Sequence, residues 1–592
     1  MITFDLVLVF IVLAFILISL YRNLLGISFT FLIGIMVLGI SGILTPTEII
    51  SGFANEQVVV VILMLLYSDV LRKTNIIENT FDRLFRRPKT YKGFITRMVL
   101  AVSAFSMFLN NTPIVAVMMP YVNSWTKRKN FAPSKFLIPL SYAAILGGSA
   151  TLIGTSTNLI VNSMVVSQTI MPGLKELNMF DFAWVGIPMI IIGWLYLTFF
   201  SNSLLPSKSA IGDDYLSNFR EYVVEAKVST NSHLIGKTAG DSGLLDIKGL
   251  YLVAIVRRSF RITAVPPDVV LDKGDILEFA GDTKNIAELI TTNSGLILPE
   301  VGMLSKVRSA HVIEVVVSQN SALINKSVRD SNFRGKFDAA IIAVHRNGEK
   351  IEGKLGNVIL KAGDVLLLFA GKNFISRSRD NNDFYFISRV KEFIKLDMYK
   401  TLILIIGTIL IITLAAMNII SLFMGLIIMI LISIVFKVFN PKDIPNSIDY
   451  NLALVIVLSL ALGTAMMKSG AAGLMANGLI SAFLPMGTTG VLFGIYILTA
   501  ILAAYITTKA AVAVVFPIAL TVAQQLGVPG TPFVLVVAYA AACTFITPHG
   551  YVTNLMVYGP GGYSYRDFLK IGLPLTIIYM VVAVSILSAI YL

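Results

Sequence analysis

The chain has 592 residues, of which 56% are hydrophobic and 14% charged. Soluble domains run at roughly 45–50% and about 25%. With a mean hydropathy of +0.80, the composition excludes an ordinary soluble enzyme and a disordered chain. One cysteine, Cys543, excludes an intramolecular disulfide and a thiolate metal cluster, and four histidines leave little for a His-rich site. The net charge of +13 belongs to cytoplasmic loops in a membrane protein and does not call for a nucleic-acid polymer as partner. The chain reads as a polytopic α-helical membrane protein.

Hydrophobic runs long enough to span, at about 20 residues each, fall at Thr3–Tyr21, Ile27–Leu44, Val58–Val70, Phe136–Val165 and Phe182–Leu204. The first lacks a basic leader and a small-residue cleavage site, so it is kept as a span. Between the third and fourth lies Phe94–Trp125, apolar but interrupted by Asn110-Asn111-Thr112-Pro113. Arg86, Arg87, Lys89 and Lys92 precede it, and Lys127, Arg128 and Lys129 follow. Cations on both flanks place both ends on the cytoplasmic side, which makes the segment a re-entrant hairpin whose polar tip needs protein or water around it.

Residues 206–399 change character, with alternating strand patterns such as Tyr222–Val228 and Asp338–His345 and Gly-Asp turns. This block is a soluble α+β insertion, and it repeats internally. Glu225, Leu234, Ile235, Lys237, Arg257, Gly274 and Asp275 recur as Glu314, Leu323, Ile324, Lys326, Arg346, Gly363 and Asp364, each 89 positions on.

The second apolar block gives spans at Thr401–Ala416, Ile419–Phe436, Leu452–Met467, Phe533–Tyr558 and Ile571–Tyr591. Within it, Thr488–Gln524 is a second hairpin broken at Thr507-Thr508-Lys509, with cation-free flanks that suit the outside. Each half is thus five spans plus a hairpin, entered from opposite sides: an inverted repeat. The segment Asn110–Val117 lies over Thr507–Val514 without a gap. Ser141-Tyr142-Ala143-Ala144 lies over Ala538-Tyr539-Ala540-Ala541, and Gly154–Leu159 over Gly550–Leu555. The expected units are residues 1–205, 206–295, 296–399 and 400–592.

Four polar breaks carry the chemistry: Asn110–Thr112, Gly154–Asn158, Thr507–Lys509 and Thr547–Asn554. Paired broken segments in two halves mark the binding site of a secondary transporter. Their Gly, Ser, Thr and Asn residues offer oxygen ligands to a hard cation, and half-helix N-termini face an anion. Lys509 is a cation inside an otherwise uncharged hairpin, where insertion costs at least ~2.5–3.5 kcal/mol. It is read as neutralising an anionic substrate or standing in for a bound cation. His549, in Thr547-Pro548-His549-Gly550, is read as an anion donor, a proton acceptor or a structural donor. Lys468 reads as a solvated helix end. No Walker lysine loop and no Thr-Val-Gly-Tyr-Gly filter occurs, which argues against ATP drive and a potassium pore.

With these motifs the chain resembles the divalent anion:sodium symporter family (SLC13-type) of the ion transporter superfamily. It is most similar to the bacterial branch with two TrkA-C (RCK-C) domains between the halves. The family's hairpin motif appears as Asn110-Asn111-Thr112, and its second break as Thr547–Asn554, followed by Leu555–Tyr563. The resemblance implies a first Na⁺ at Asn110, Asn111, Gly154, Ser156 and Asn158, and a second at Thr508, Thr547, Gly550 and Asn554. The anion is then expected among Asn110, Asn111, Thr112, Thr157, Asn158, Thr507, Thr508, Lys509, His549, Thr553 and Asn554. Where the family carries Asn, this chain has Thr508 and Lys509, so the second cation is expected to be replaced electrostatically. The resemblance further implies a homodimer in the cell inner membrane, with residues 206–399 cytoplasmic, binding a nucleotide or small ligand or serving to dimerise. The expected activity is Na⁺-coupled alternating-access uptake of sulfate, with dicarboxylates second. Alternatives are an RCK-gated cation channel and an arsenite- or proton-antiporter-like carrier.

Overall fold

A computed structural model describes residues 3–73, 90–208, 223–281, 296–297, 311–386 and 398–592, apart from gaps of one to four residues, and Phe81, Phe85 and Pro88. Arg86, Arg87, Lys89 and Tyr222 lie outside the described residues. Among the described residues, seven helices are long and apolar enough to cross a membrane: Phe4–Arg22, Pro46–Tyr67, Ala183–Leu204, Tyr450–Lys468, Ala471–Tyr505, Thr508–Leu526 and Tyr565–Tyr591. Shorter apolar helices, Ile27–Ile40, Leu402–Ala415, Leu422–Val435 and Thr531–Ala542, accompany them. The chain is a multi-pass helical membrane protein.

Two expected spans are broken. Phe136–Val165 is the helix Leu137–Gly148, then a non-helical stretch, then Ser156–Ser167. Phe533–Tyr558 likewise divides into Thr531–Ala542 and Val552–Tyr558. Apolar runs of this length favour a continuous helix, but each contains a Gly- and Thr-rich interval whose side chains compete for the backbone. Such intervals survive at membrane depth only when protein satisfies the freed groups. A further helix, Ala471–Phe483, starts after Gly470 (φ +78°), between the expected span Leu452–Met467 and the second hairpin. Lys468 is half exposed and pairs with Glu48 at 2.6 Å.

Both polar-tipped segments are helical hairpins. In the first, Tyr91–Ser106 returns as Asn111–Lys129. Phe94 stacks on Trp125 at 4.0 Å, and the Tyr91 hydroxyl donates to the Lys135 carbonyl at 3.2 Å. These contacts hold entry and exit side by side at one end. In the second, Gly487–Tyr505 packs against Thr508–Leu526. Small residues allow close approach: a Cβ on Gly147 would lie 2.3 Å from the Ser103 carbonyl oxygen of the first hairpin.

The central block forms two five-stranded antiparallel sheets. The first contains β1 (Val223–Val228), β2 (Leu250–Arg257), β3 (Phe260–Thr263), β4 (Ile276–Gly281) and β5 (Leu296–Ile297), in the order β3-β2-β4-β1-β5. The second contains β6 (His311–Val317), β7 (Ala339–Arg346), β8 (Glu349–Lys350), β9 (Val365–Ala370) and β10 (Phe384–Phe386), in the equivalent order β8-β7-β9-β6-β10. The register shift at Leu252/Ala254 recurs at Ile341/Ala343. Arg257 holds the buried Asp275 through two bonds of 2.8 and 2.7 Å. Arg346 holds Asp364 through two bonds of 2.7 Å. In both, hydrogen bonding to the carboxylate raises the guanidinium pKa above its ordinary value. Because β5 pairs with β1, the first sheet reaches past residue 295.

The second sheet touches the membrane helices. At Gly363 (φ +84°) a Cβ would lie 2.9 Å from Leu555 Cδ1, and one on Gly559 would lie 2.7 Å from Val365 Cγ2. The β9 turn therefore seats against the short helix that carries Asn554.

Candidate functional site

Each break is tied to itself and to a hairpin by the same set of hydrogen bonds. In the first, Thr151 Oγ1 accepts from the Gly154 amide at 3.1 Å and donates to the Met107 carbonyl at the hairpin tip. In the second, Thr547 Oγ1 accepts from the Gly550 amide at 3.2 Å and donates to the Ala504 carbonyl at 2.8 Å. Asn158 Nδ2 donates to the Thr151 and Gly148 carbonyls, at 2.8 and 3.5 Å, seven and ten residues earlier. Asn554 Nδ2 donates to the Thr547 and Thr544 carbonyls at 3.2 and 2.8 Å, again seven and ten residues earlier. Both asparagines are fully buried, so their amides satisfy carbonyls that no water reaches.

The hairpin tips are capped in parallel fashion. Asn110 Oδ1 accepts from the Thr112 amide at 3.4 Å, and Thr507 Oγ1 accepts from the Ala510 amide at 3.2 Å. Asn110 and Ser156 line a small cleft walled by Val61, Met64 and Leu65 of the helix Glu56–Lys73 and by Ile153 and Leu159. Asn111 is 1% exposed. Its amide lies 2.6 Å from both Ser106 Oγ and the Tyr551 hydroxyl. With Nδ2 turned to Ser106 and to the Ala144 and Gly154 carbonyls (3.2 Å each), Oδ1 accepts from Tyr551.

Tyr551 joins the two halves. Its hydroxyl also lies 2.9 Å from Thr155 Oγ1. Thr155 and Tyr551 are the N-cap residues of the helices that follow the two breaks. The aligned segments Gly154–Leu159 and Gly550–Leu555 make them equivalent positions, and they bond to each other.

The structure thus gathers Asn110, Asn111, Gly154, Ser156 and Asn158 around the first break, with Thr112 and the buried Thr157 in adjoining first turns. Thr547, Gly550, Thr553 and Asn554 gather around the second break, and Thr507, Thr508 and Lys509 open the helix of the second hairpin. Lys509 is half-buried in the first helical turn, where the macrodipole disfavours a cation by about 0.3–1 kcal/mol. Helix stability therefore does not account for it. His549 stands apart: it is exposed, and its ring packs edge-on against Tyr565 and Tyr558 at 5.5 and 6.3 Å. Sequence reasoning passed over Thr151, Thr155, Tyr551 and Ser141. Thr155 and Tyr551 already lie within the aligned segments Gly154–Leu159 and Gly550–Leu555, and extending that alignment three residues back pairs Thr151 with Thr547. Among the described residues no group of three or more His, Cys, Asp and Glu forms a metal cluster. The site offers neutral oxygens, amides and one ammonium.

The family described as citrate transporter matches residues 8–496 and 402–592. A Chlamydomonas reinhardtii protein named as a candidate sulfur deprivation response regulator is 32% identical over 92% of this chain and 95% of its own length. An uncharacterized transporter of Synechocystis sp. is 31% identical over 98% of this chain and 96% of its own. Sodium/sulfate cotransporter 1 of Chlamydomonas reinhardtii is 23% identical over 95% and 87%.

Proposed function

Since this chain belongs to the citrate transporter family of membrane carriers, within the ion transporter superfamily, we propose that it is a secondary active transporter that takes up sulfate with Na⁺. The observation that carries this reading is the pair of breaks, each bonded to its own hairpin by matched Thr and Asn contacts and joined through Thr155 and Tyr551. Unwound backbone of this kind presents carbonyl and amide oxygens to a cation and helix N-termini to an anion. The matched bonding supports an inverted repeat of residues 1–205 and 400–592, with the hairpins entering from opposite sides. Sulfate is favoured because the breaks supply hydroxyl and amide donors plus the Lys509 ammonium, without an arginine fork for carboxylates.

Similar proteins are named sodium/sulfate cotransporters, which supports both cargo and ion. The two equivalent central sheets support a reading as tandem TrkA-C domains on the cytoplasmic side, binding a small ligand or pairing two copies of the chain. The family's description favours a second cargo class, carboxylates. Competition decides between them. Uptake of labelled sulfate into proteoliposomes is expected to be blocked by unlabelled sulfate and to resist equal succinate or citrate. Absent sulfate uptake, with saturable uptake of labelled succinate or citrate, would reassign the cargo.

A further inference from the structure

The two breaks match in every amide donor but differ at one acceptor. Asn554 Oδ1 lies 2.7 Å from Ser141 Oγ, which also lies 2.8 Å from Thr553 Oγ1. An amide oxygen only accepts, so the Ser141 proton goes to it. Asn158 occupies the equivalent place in the first break, with the same two donations from Nδ2. Its Oδ1 is buried and has no hydrogen-bond partner among the described residues. The aligned segments differ there by one atom. Position 141 is Ser, and its aligned counterpart in the second half is Ala538, buried and without a hydroxyl. The surroundings are otherwise alike, since Leu137–Gly148 packs on Val552–Tyr558 as Thr531–Ala542 packs on Ser156–Ser167.

A buried carbonyl oxygen left unpaired is destabilising and persists where something else satisfies it. A hard cation does so with oxygen alone. In the second break the equivalent oxygen already has its donor, and Lys509 brings a fixed positive charge to the neighbouring hairpin tip. We infer that the carrier holds a single Na⁺, at the Asn158 side, and that Ser141 closes the second cation place. This rests on the transport reading above but concerns ion number, not cargo. Ser141 acts as a positioning residue: it sets ion stoichiometry through Asn554.

The test is equilibrium ²²Na⁺ binding to the purified full-length protein, with labelled sulfate binding measured in parallel. Wild type is expected to bind one Na⁺ per chain. Ala538→Ser adds the missing hydroxyl opposite Asn158 and is expected to weaken Na⁺ binding at least tenfold. Ser141→Ala combined with Lys509→Asn opens the second place and is expected to raise the count to two. Two ions on wild type, unchanged Na⁺ affinity in Ala538→Ser, or a count of one in the double variant would each overturn the inference. Ala538→Ser adds one atom to a buried alanine, so retained sulfate binding or an unchanged thermal midpoint separates a blocked ion place from misfolding. A count of one without sulfate binding would leave this inference standing and remove sulfate as cargo.

Discussion

Gly154→Ala is expected to reduce sulfate uptake by about 100-fold, because the new methyl has only backbone to displace. Its Cβ would lie 2.5 Å from the Gly148 carbonyl oxygen, 2.9 Å from Gly148 Cα and 2.9 Å from the Ser106 carbonyl oxygen. Relief requires the first break to move against the hairpin by a sizeable fraction of an ångström. A shift of about 1 Å in a positioned site costs about 100-fold. Gly550→Ala is the informative partner. There the nearest atoms are side chains, Thr544 Cγ2 at 2.4 Å and Thr547 Oγ1 at 2.9 Å, with the Ala503 carbonyl oxygen at 3.2 Å. Threonine rotamers can give way, so a milder loss of about tenfold is expected. Gly26→Ala, which meets nothing within 4 Å, serves as the control. Initial uptake rates normalised to reconstituted protein check the order, and wild-type transport by Gly154→Ala would refute the placement of the break.

Lys509→Asn is expected to raise the half-saturating sulfate concentration about tenfold, which corresponds to about 1.4 kcal/mol of lost anion attraction. The ammonium stands in a helix's first turn within an apolar hairpin, two settings that disfavour a positive charge. Bound sulfate is expected to compensate for both. Lys509→Arg keeps the charge and is expected to stay within about threefold of wild type. Unchanged half-saturation and ion dependence in Lys509→Asn would remove the lysine from the site.

Much of this architecture was legible because apolar length reports directly on membrane crossing. The 89-residue spacing announced two equivalent sheets, and Arg257–Asp275 and Arg346–Asp364 make the same bond in each. The polar breaks were legible as well, since Asn, Thr and Gly stand out within hydrophobic runs. Less visible was where helices stop. Phe136–Val165 reads as one span despite its Gly154–Asn158 break, and the bonding of Thr151 and Asn158 to carbonyls reveals that it is two helices. Roles set by reach across the fold were hidden. Tyr551 and Asn111 are 440 positions apart, and no local pattern pairs them. The contrast of Ser141 with Ala538 was on view in the aligned segments, but its meaning depends on which atom the hydroxyl meets. His549 was read as an anion donor, a proton acceptor or a structural donor, and its ring packs against Tyr558 and Tyr565.

The central claim, an anion carried by a Na⁺ gradient, is tested most directly by labelled sulfate uptake into proteoliposomes at equal internal and external pH. One set receives an inward Na⁺ gradient and the other equimolar Na⁺ on both sides. The account predicts transient accumulation above the external concentration only with the gradient. Sulfate entry that proceeds equally under both conditions would contradict it.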